Sequence, residues 1–167
     1  KEHNVAIIVA SGQIVDGEAA PGIIGGDTLA AEIRSARLDD AVDAVVLRID
    51  SPGGSMFASQ VIVDEIAALK AEGKPVVASM SSVAASGGYY IAMLADEIWA
   101  RGTTITGSIG VGALVPTVPR TLDKLGVHVD GFGTTRLAGQ LRADRPLGDD
   151  ARRLLTATVE DAYRIFV

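Results

Sequence analysis

Apolar positions along the chain fall into short β-branched runs that alternate with stretches of helical spacing. Residues 4–10, with Val5, Ile7, Ile8 and Val9, form a run too short for a helix and read as a buried strand. Residues 11–26 carry Gly12, Gly17, Pro21, Gly22, Gly25 and Gly26 and read as a long loop. Asp27 is placed to cap a helix whose Leu29, Ile33 and Ala36 share one face. Residues 44–50 form a second, nearly continuous apolar strand that runs into Asp50-Ser51-Pro52-Gly53-Gly54-Ser55. The spacing of Ile62, Ile66 and Leu69 predicts a helix over about 56–72, stopped by Gly73. The apolar run 75–80 predicts a third strand, which enters a cluster of small residues centred on Ser86 and continues into an apolar stretch of helical length. Beyond it, 97–100 reads as short and extended, 105–112 as glycine-rich, 117–125 as helical and 127–132 as extended. A last helix from about Asp149 places Leu155, Val159, Ala162 and Phe166 at spacings of three and four.

Strands that read as apolar runs and alternate with helices imply an α/β fold, a parallel β-sheet flanked by helices. Such sheets carry their chemistry at the carboxyl ends of strands, where both glycine turns, 51–55 and 84–88, fall. The 167 residues are expected to form one domain, 1–167. With 4% aromatic residues, the core must be built from Ala, Val, Ile and Leu. A formal charge of −6 argues against nucleic acid or an anionic membrane as the main partner. The absence of cysteine excludes disulfides and thiolate chemistry, and no apolar stretch reaches the ~20 residues of a membrane helix. The chain starts at Lys1 and stops in mid-pattern at Val167, so a fragment of a longer protein is expected, and with it a covering partner for the apolar stripe of the last helix.

Ser86 is the candidate nucleophile. A strand that turns sharply and hands over to a helix presents one hydroxyl, and Ala84, Ala85, Gly87 and Gly88 beside it are small enough for a substrate backbone to approach. The helix start also offers N–H groups to a developing negative charge. Acyl transfer needs two donors aimed at the carbonyl oxygen. Gly87 N–H is one candidate, and an N–H of the 53–54 turn is the other. A base is harder to find. His3 lies near the start and His128 in an alternating segment that reads as solvent-facing. Lys70 and Lys74 flank a helix end, Lys124 lies on the polar side of a helix, and Lys1 is terminal.

The motifs Asp50-Ser-Pro-Gly-Gly-Ser55, Ala84-Ala-Ser-Gly-Gly-Tyr-Tyr90, Ala95-Asp-Glu-Ile98 and Thr106-Gly-Ser-Ile-Gly-Val111, in this order, resemble the signal peptide peptidase A (protease IV) family. The resemblance implies a ClpP/crotonase-like fold. It makes Ser86 the nucleophile of a Ser–Lys dyad and favours Gly54 over Gly53 as the second oxyanion donor. It also assigns substrate contact to Ser108, Ile109 and Gly110. It implies cleaved signal peptides as substrates, with no cofactor or metal. Short family members place their lysine after the strand corresponding to 127–133, where this chain has Arg136; arginine stays protonated and cannot serve. Double-length members divide serine and lysine between two halves. The chain is therefore similar to a C-terminal, serine-bearing half whose missing N-terminal half supplies the lysine. The whole is implied to be a homotetramer anchored in a bacterial inner membrane and facing the periplasm. Two other readings compete. A crotonase-type acyl-CoA enzyme would need Asp50 or Asp96 as its base, and a non-catalytic half would only support assembly.

Overall fold

The computed structural model describes residues 3–167, which divide into two compact units, one running to Ile109 and the other from Gly110 to Val167. In the first unit, β1 (Asn4–Ser11), β4 (Val42–Ser51), β5 (Val76–Ala85), β6 (Glu97–Trp99) and β7 (Ile105–Gly107) form one sheet. Its order is β1-β4-β5-β6, with β7 joining β5 further along. Every pairing is parallel. The expected parallel α/β architecture is what forms.

Register explains the core. Ile8, Leu47 and Ala78 lie in one row and Ala10, Ile49 and Met80 in the next, and all six are buried. Helix α1 (Gly26–Leu38) adds Leu29, Ala30, Ile33 and Ala36, and α2 (Met56–Ala71) adds Ile62, Ile66 and Leu69. The neighbouring rows face the other way. Val5, Ile7 and Val9 of β1 are exposed. The expectation of a wholly buried first strand is thus corrected: β1 is an edge strand with one covered face. A β-branched run is the same in composition whether one face is covered or two.

Three other expectations change. The 11–26 segment holds a two-stranded parallel sheet, β2 (Ile14–Val15) with β3 (Ile24–Gly25), because Ile14 and Ile24 are both buried. The N-cap of α1 is Gly25, and Asp27 sits in the first turn. The helix after Ser86 is a single turn, α3 (Gly87–Tyr90). Helix α2 matches its pattern: Ser55 Oγ accepts from Ala58 N–H at its start, and Gly73, at φ 83°, follows its end. Its clasp to α1 is ionic, since the buried Glu65 carboxylate accepts from both Arg34 and Arg37.

The second unit contains α4 (Pro119–Lys124) and α5 (Asp149–Phe166). Residues 127–132, expected as a strand, join no ladder. On α5, Leu155, Val159 and Ala162 are half-buried and Phe166 is buried, so the stripe expected to end exposed at Phe166 is covered there, while Leu154, Tyr163, Ile165 and Val167 are exposed. Asp150 receives Arg136 and Arg153. No helix among the described residues is long and apolar enough to cross a membrane.

Candidate active site

Two strand ends meet in the first unit. Strand β4 stops at Ser51 and enters the turn Pro52–Ser55; β5 stops at Ala85 and enters Ser86. Gly53 has φ 95°, and a Cβ built on it falls 2.6 Å from Gly87 N and 2.9 Å from Ser86 Cβ. The two turns are therefore in backbone contact, and only a residue without a side chain fits between them.

Ser86 has φ 52° and ψ −122°, a conformation L-residues rarely adopt. Two sets of bonds hold it there. Its N–H donates to Gly107 O at 2.8 Å, and its carbonyl accepts from Tyr89 and Tyr90 N–H, each at 2.9 Å. Thr106 of β7 reinforces the first set by donating from Oγ1 to Ala84 O at 2.8 Å. The side chain is half-buried, and its hydroxyl has no hydrogen-bond partner among the described residues.

The glycines differ in what their N–H groups do. Gly53 N–H donates to Ser51 Oγ at 3.1 Å. Gly54 is locked in place by its neighbours: Ile14 N–H donates to Gly53 O and Ser55 N–H donates to Ile14 O, both at 2.9 Å. Gly54 N–H and Gly87 N–H have no acceptor among the described residues. The small size of Gly87 and Gly88 has a cause internal to the protein. A Cβ on Gly87 would lie 2.7 Å from Ser59 Oγ, and one on Gly88 2.5 Å from Ser51 O. The space beside them is filled by α2 and β4. Because α3 is one turn long, these N–H groups count as individual donors rather than as the end of a macrodipole.

Ser108, at φ 54°, and Ile109 follow β7 and are exposed, with Gly110 next in the chain. Of the candidate bases in the first unit, both described lysines are already engaged. Lys70 Nζ lies 2.9 Å from Asp96 Oδ1 and also donates to Leu94 O. Lys74 Nζ donates to Ala36 O and Asp39 O. Lys124 is exposed on α4, and Lys1 lies outside the described residues. His3 contacts Asp43, and His128 is exposed. Either carboxylate that could serve an acyl-CoA chemistry holds backbone: Asp50 accepts from Val83 N–H, and Asp96 from Val76 N–H. The Val76 N–H, with Lys70 alongside, keeps the Asp96 carboxyl below the usual carboxylate range. Arg136 forks onto Asp150.

Sequence reasoning missed Ser51 and Ser59. Both are fully buried. Ser51 caps the Gly53 N–H, and Ser59 Oγ donates to Ser55 O at 2.8 Å. The serine next to Pro-Gly-Gly carried the signal for the first; nothing distinguished the second.

Comparison with known proteins shows the family of the chain. The model of "Peptidase family S49" matches residues 68–167. The chain is 47% identical over 163 residues to Protease 4 of Salmonella typhi, covering 98% of this chain and 26% of that protein. It is 44% identical to Protease 4 of Haemophilus influenzae, with 99% of this chain and 27% of that protein covered. It is 42% identical to a chloroplastic serine protease SPPA of Arabidopsis thaliana, covering 97% and 24%. The chain thus spans about a quarter of the length of these relatives. Among solved structures, a mutant form of a membrane-bound stomatin-specific protease superposes with a TM-score of 0.51 at 21% identity, covering 75% of this chain and 60% of that one. That likeness concerns the fold. With the family model matching more than half of its residues, the chain belongs to peptidase family S49.

Proposed function

We propose that this chain is the serine-bearing part of an endopeptidase that degrades remnant signal peptides, with Ser86 as nucleophile and a lysine from an N-terminal half of the same protein as base. The observation that carries the reading is the Ser86 elbow: an unpartnered hydroxyl on a left-handed backbone, pressed against a turn, with the Gly54 and Gly87 N–H groups free among the described residues. In the reaction, Ser86 Oγ attacks the scissile carbonyl and its proton passes to the neutral lysine amine. The carbonyl oxygen, now negative, accepts from Gly54 and Gly87 N–H. Collapse expels the amine leaving group, which takes the proton, and water then releases the acyl chain from Ser86. The exposed Ser108 and Ile109 and the adjoining Gly110 are the proposed substrate contacts.

The base is assigned to another segment because Lys70 and Lys74 are engaged far down the first unit's helix and strand connections. A basic lysine must be neutral, which requires burial that lowers its pKa from ~10.4. Anchoring in a bacterial inner membrane, a periplasmic setting and a homotetramer belong to the same proposal for the whole protein. The acyl-CoA reading is disfavoured by the engagement of Asp50 and Asp96 with backbone.

The test is Ser86→Ala in the full-length protein. Loss of a triad-type nucleophile costs around six orders of magnitude in kcat, so peptide hydrolysis and labelling by a serine-directed phosphonate should both vanish. Activity within tenfold of wild type rejects Ser86. The isolated 167 residues should hydrolyse peptides at a trace rate that recovers when the N-terminal half is added. A full rate without it places the base within these residues.

A further inference from the structure

The route by which β5 reaches Ser86 contains an irregularity. Ile49 of β4 pairs with Met80, and the next paired residue, Ser51, faces Ala84. Strand β4 advances two residues while β5 advances four, so Ser81, Ser82 and Val83 stand opposite Asp50 alone. This is a β-bulge of two extra residues, located just before Ala84-Ala85-Ser86. Strand residues rise about 3.3 Å each, so absorbing two residues sets the nucleophile roughly 7 Å from where an unbroken ladder would put it.

A bulge gives up ladder hydrogen bonds, and here side chains of β4 replace them. Asp50 Oδ1 accepts from Val83 N–H at 3.0 Å. The Arg48 guanidinium crosses to β5 from the other side of the gap: Nη1 donates to Ser79 Oγ at 2.9 Å and Met80 O at 3.4 Å, and Nη2 donates to Ser81 Oγ at 2.9 Å. Thr104, just ahead of β7, donates to Ser81 O at 2.8 Å. Every one of these contacts ends on residues 79–83, and beyond them the chain is held by β7 and the Gly53 turn. Among the described residues Arg48 has no carboxylate partner; its fork is spent on hydroxyls and a carbonyl.

We propose that Asp50 and Arg48 are positioning residues for Ser86, fixing the two-residue bulge so that its hydroxyl and the Gly87 N–H meet the Gly53–Gly54 turn. The proposal rests on the reading of Ser86 as nucleophile. Asp50 acts here as a hydrogen-bond acceptor, and its charge is incidental. That distinguishes it from a general base, because Asn keeps the acceptor and discards the basicity.

The experiment compares Asp50→Ala, Asp50→Asn and Arg48→Lys in the full-length protein, reading kcat, KM and the rate of phosphonate labelling, with thermal melts alongside. A misplacement of about 1 Å can cost on the order of 100-fold in rate. Asp50→Ala should lower kcat and labelling by roughly 10–100-fold with KM little changed, and Asp50→Asn should recover most of both. Arg48→Lys keeps the charge but gives up one hydroxyl contact, and should lose a smaller factor in kcat. If Asp50→Ala does not fold, Arg48→Lys carries that arm: a reduced kcat supports the proposal and a wild-type kcat overturns it. Wild-type rates in Asp50→Ala, or an Asp50→Asn as poor as Asp50→Ala, also overturn it, the latter by making the charge essential. Failure of the underlying reading looks different, since Ser86→Ala would then stay active whatever the Asp50 variants do.

Discussion

Replacing Gly53 by alanine tests the contact between the two strand-end turns directly. The added Cβ meets three atoms at once: Gly87 N at 2.6 Å, Ala85 O at 2.9 Å and Ser86 Cβ at 2.9 Å. None is the movable tip of a flexible side chain, so relief requires the two turns to separate. Two costs combine. Holding a side-chain-bearing residue at φ 95° costs about 1–2 kcal/mol, and overpacking a tight contact costs about 1–3 kcal/mol. The sum, roughly 2–5 kcal/mol, is a large part of the ~5–15 kcal/mol that stabilises a typical protein. Gly73→Ala is the matched control, because Gly73 has φ 83° but open space around its Cβ position, leaving only the conformational part. Urea unfolding should show Gly53→Ala as the more destabilised of the two by about 1–3 kcal/mol. Peptide hydrolysis should fall at least tenfold in Gly53→Ala and stay at wild-type level in Gly73→Ala. Equal midpoints for the two variants, with Gly53→Ala fully active, would refute the contact and the site built upon it.

Other outcomes follow from the ion pairs and the lysines. Burial by itself would raise the Glu65 pKa, but hydrogen bonds from Arg34 and Arg37 outweigh it and hold the carboxyl below its usual range. A depressed folded-state pKa gives stability that is present above the unfolded value and is lost as pH falls through the folded one; the α1–α2 clasp should therefore weaken in acid, below about pH 4. Glu65→Gln should flatten that acid limb of a stability–pH curve and cost about 1–3 kcal/mol at neutral pH. Lys70→Met and Lys74→Met should each leave hydrolysis within threefold of wild type, as both amines already hold backbone or Asp96; a loss of a hundredfold in either would make it the base.

How much of this was legible in the sequence depended on whether a feature leaves a local mark. Apolar runs and glycine turns do, so β4, α2, α5 and the 51–55 turn fell where the pattern put them, whereas β5, expected to end at Met80, runs on through the small residues to Ala85. The burial of β1 did not, because Val5, Ile7 and Val9 look the same whether covered or bare. The bulge left no mark either: the small residues after Met80 read as the end of the strand, and only the pairing on either side of Asp50 shows that β5 continues with two extra residues. The helix after Ser86 was overestimated because residues 91–95, apolar and tightly turned, pass for helix in one dimension. The N-cap of α1 is Gly25 instead of Asp27 because the helix begins at Gly26, which leaves Asp27 inside the first turn.

The backbone at Ser86 also has a thermodynamic side. A conformation with φ 52° and ψ −122° suits glycine and strains any residue with a side chain, by about 1–3 kcal/mol. If Ser86 is the nucleophile proposed above, the protein carries that strain at the position whose side chain reacts, which sets durability against turnover at a single residue. Ser86→Ala and Ser86→Gly, though equally inert, should consequently separate in the melt. Alanine keeps the Cβ and its strain, whereas glycine sheds both and should melt several degrees higher despite its looser unfolded state. An inactive form more heat-resistant than its parent is the expected mark of an elbow shaped for attack rather than for endurance.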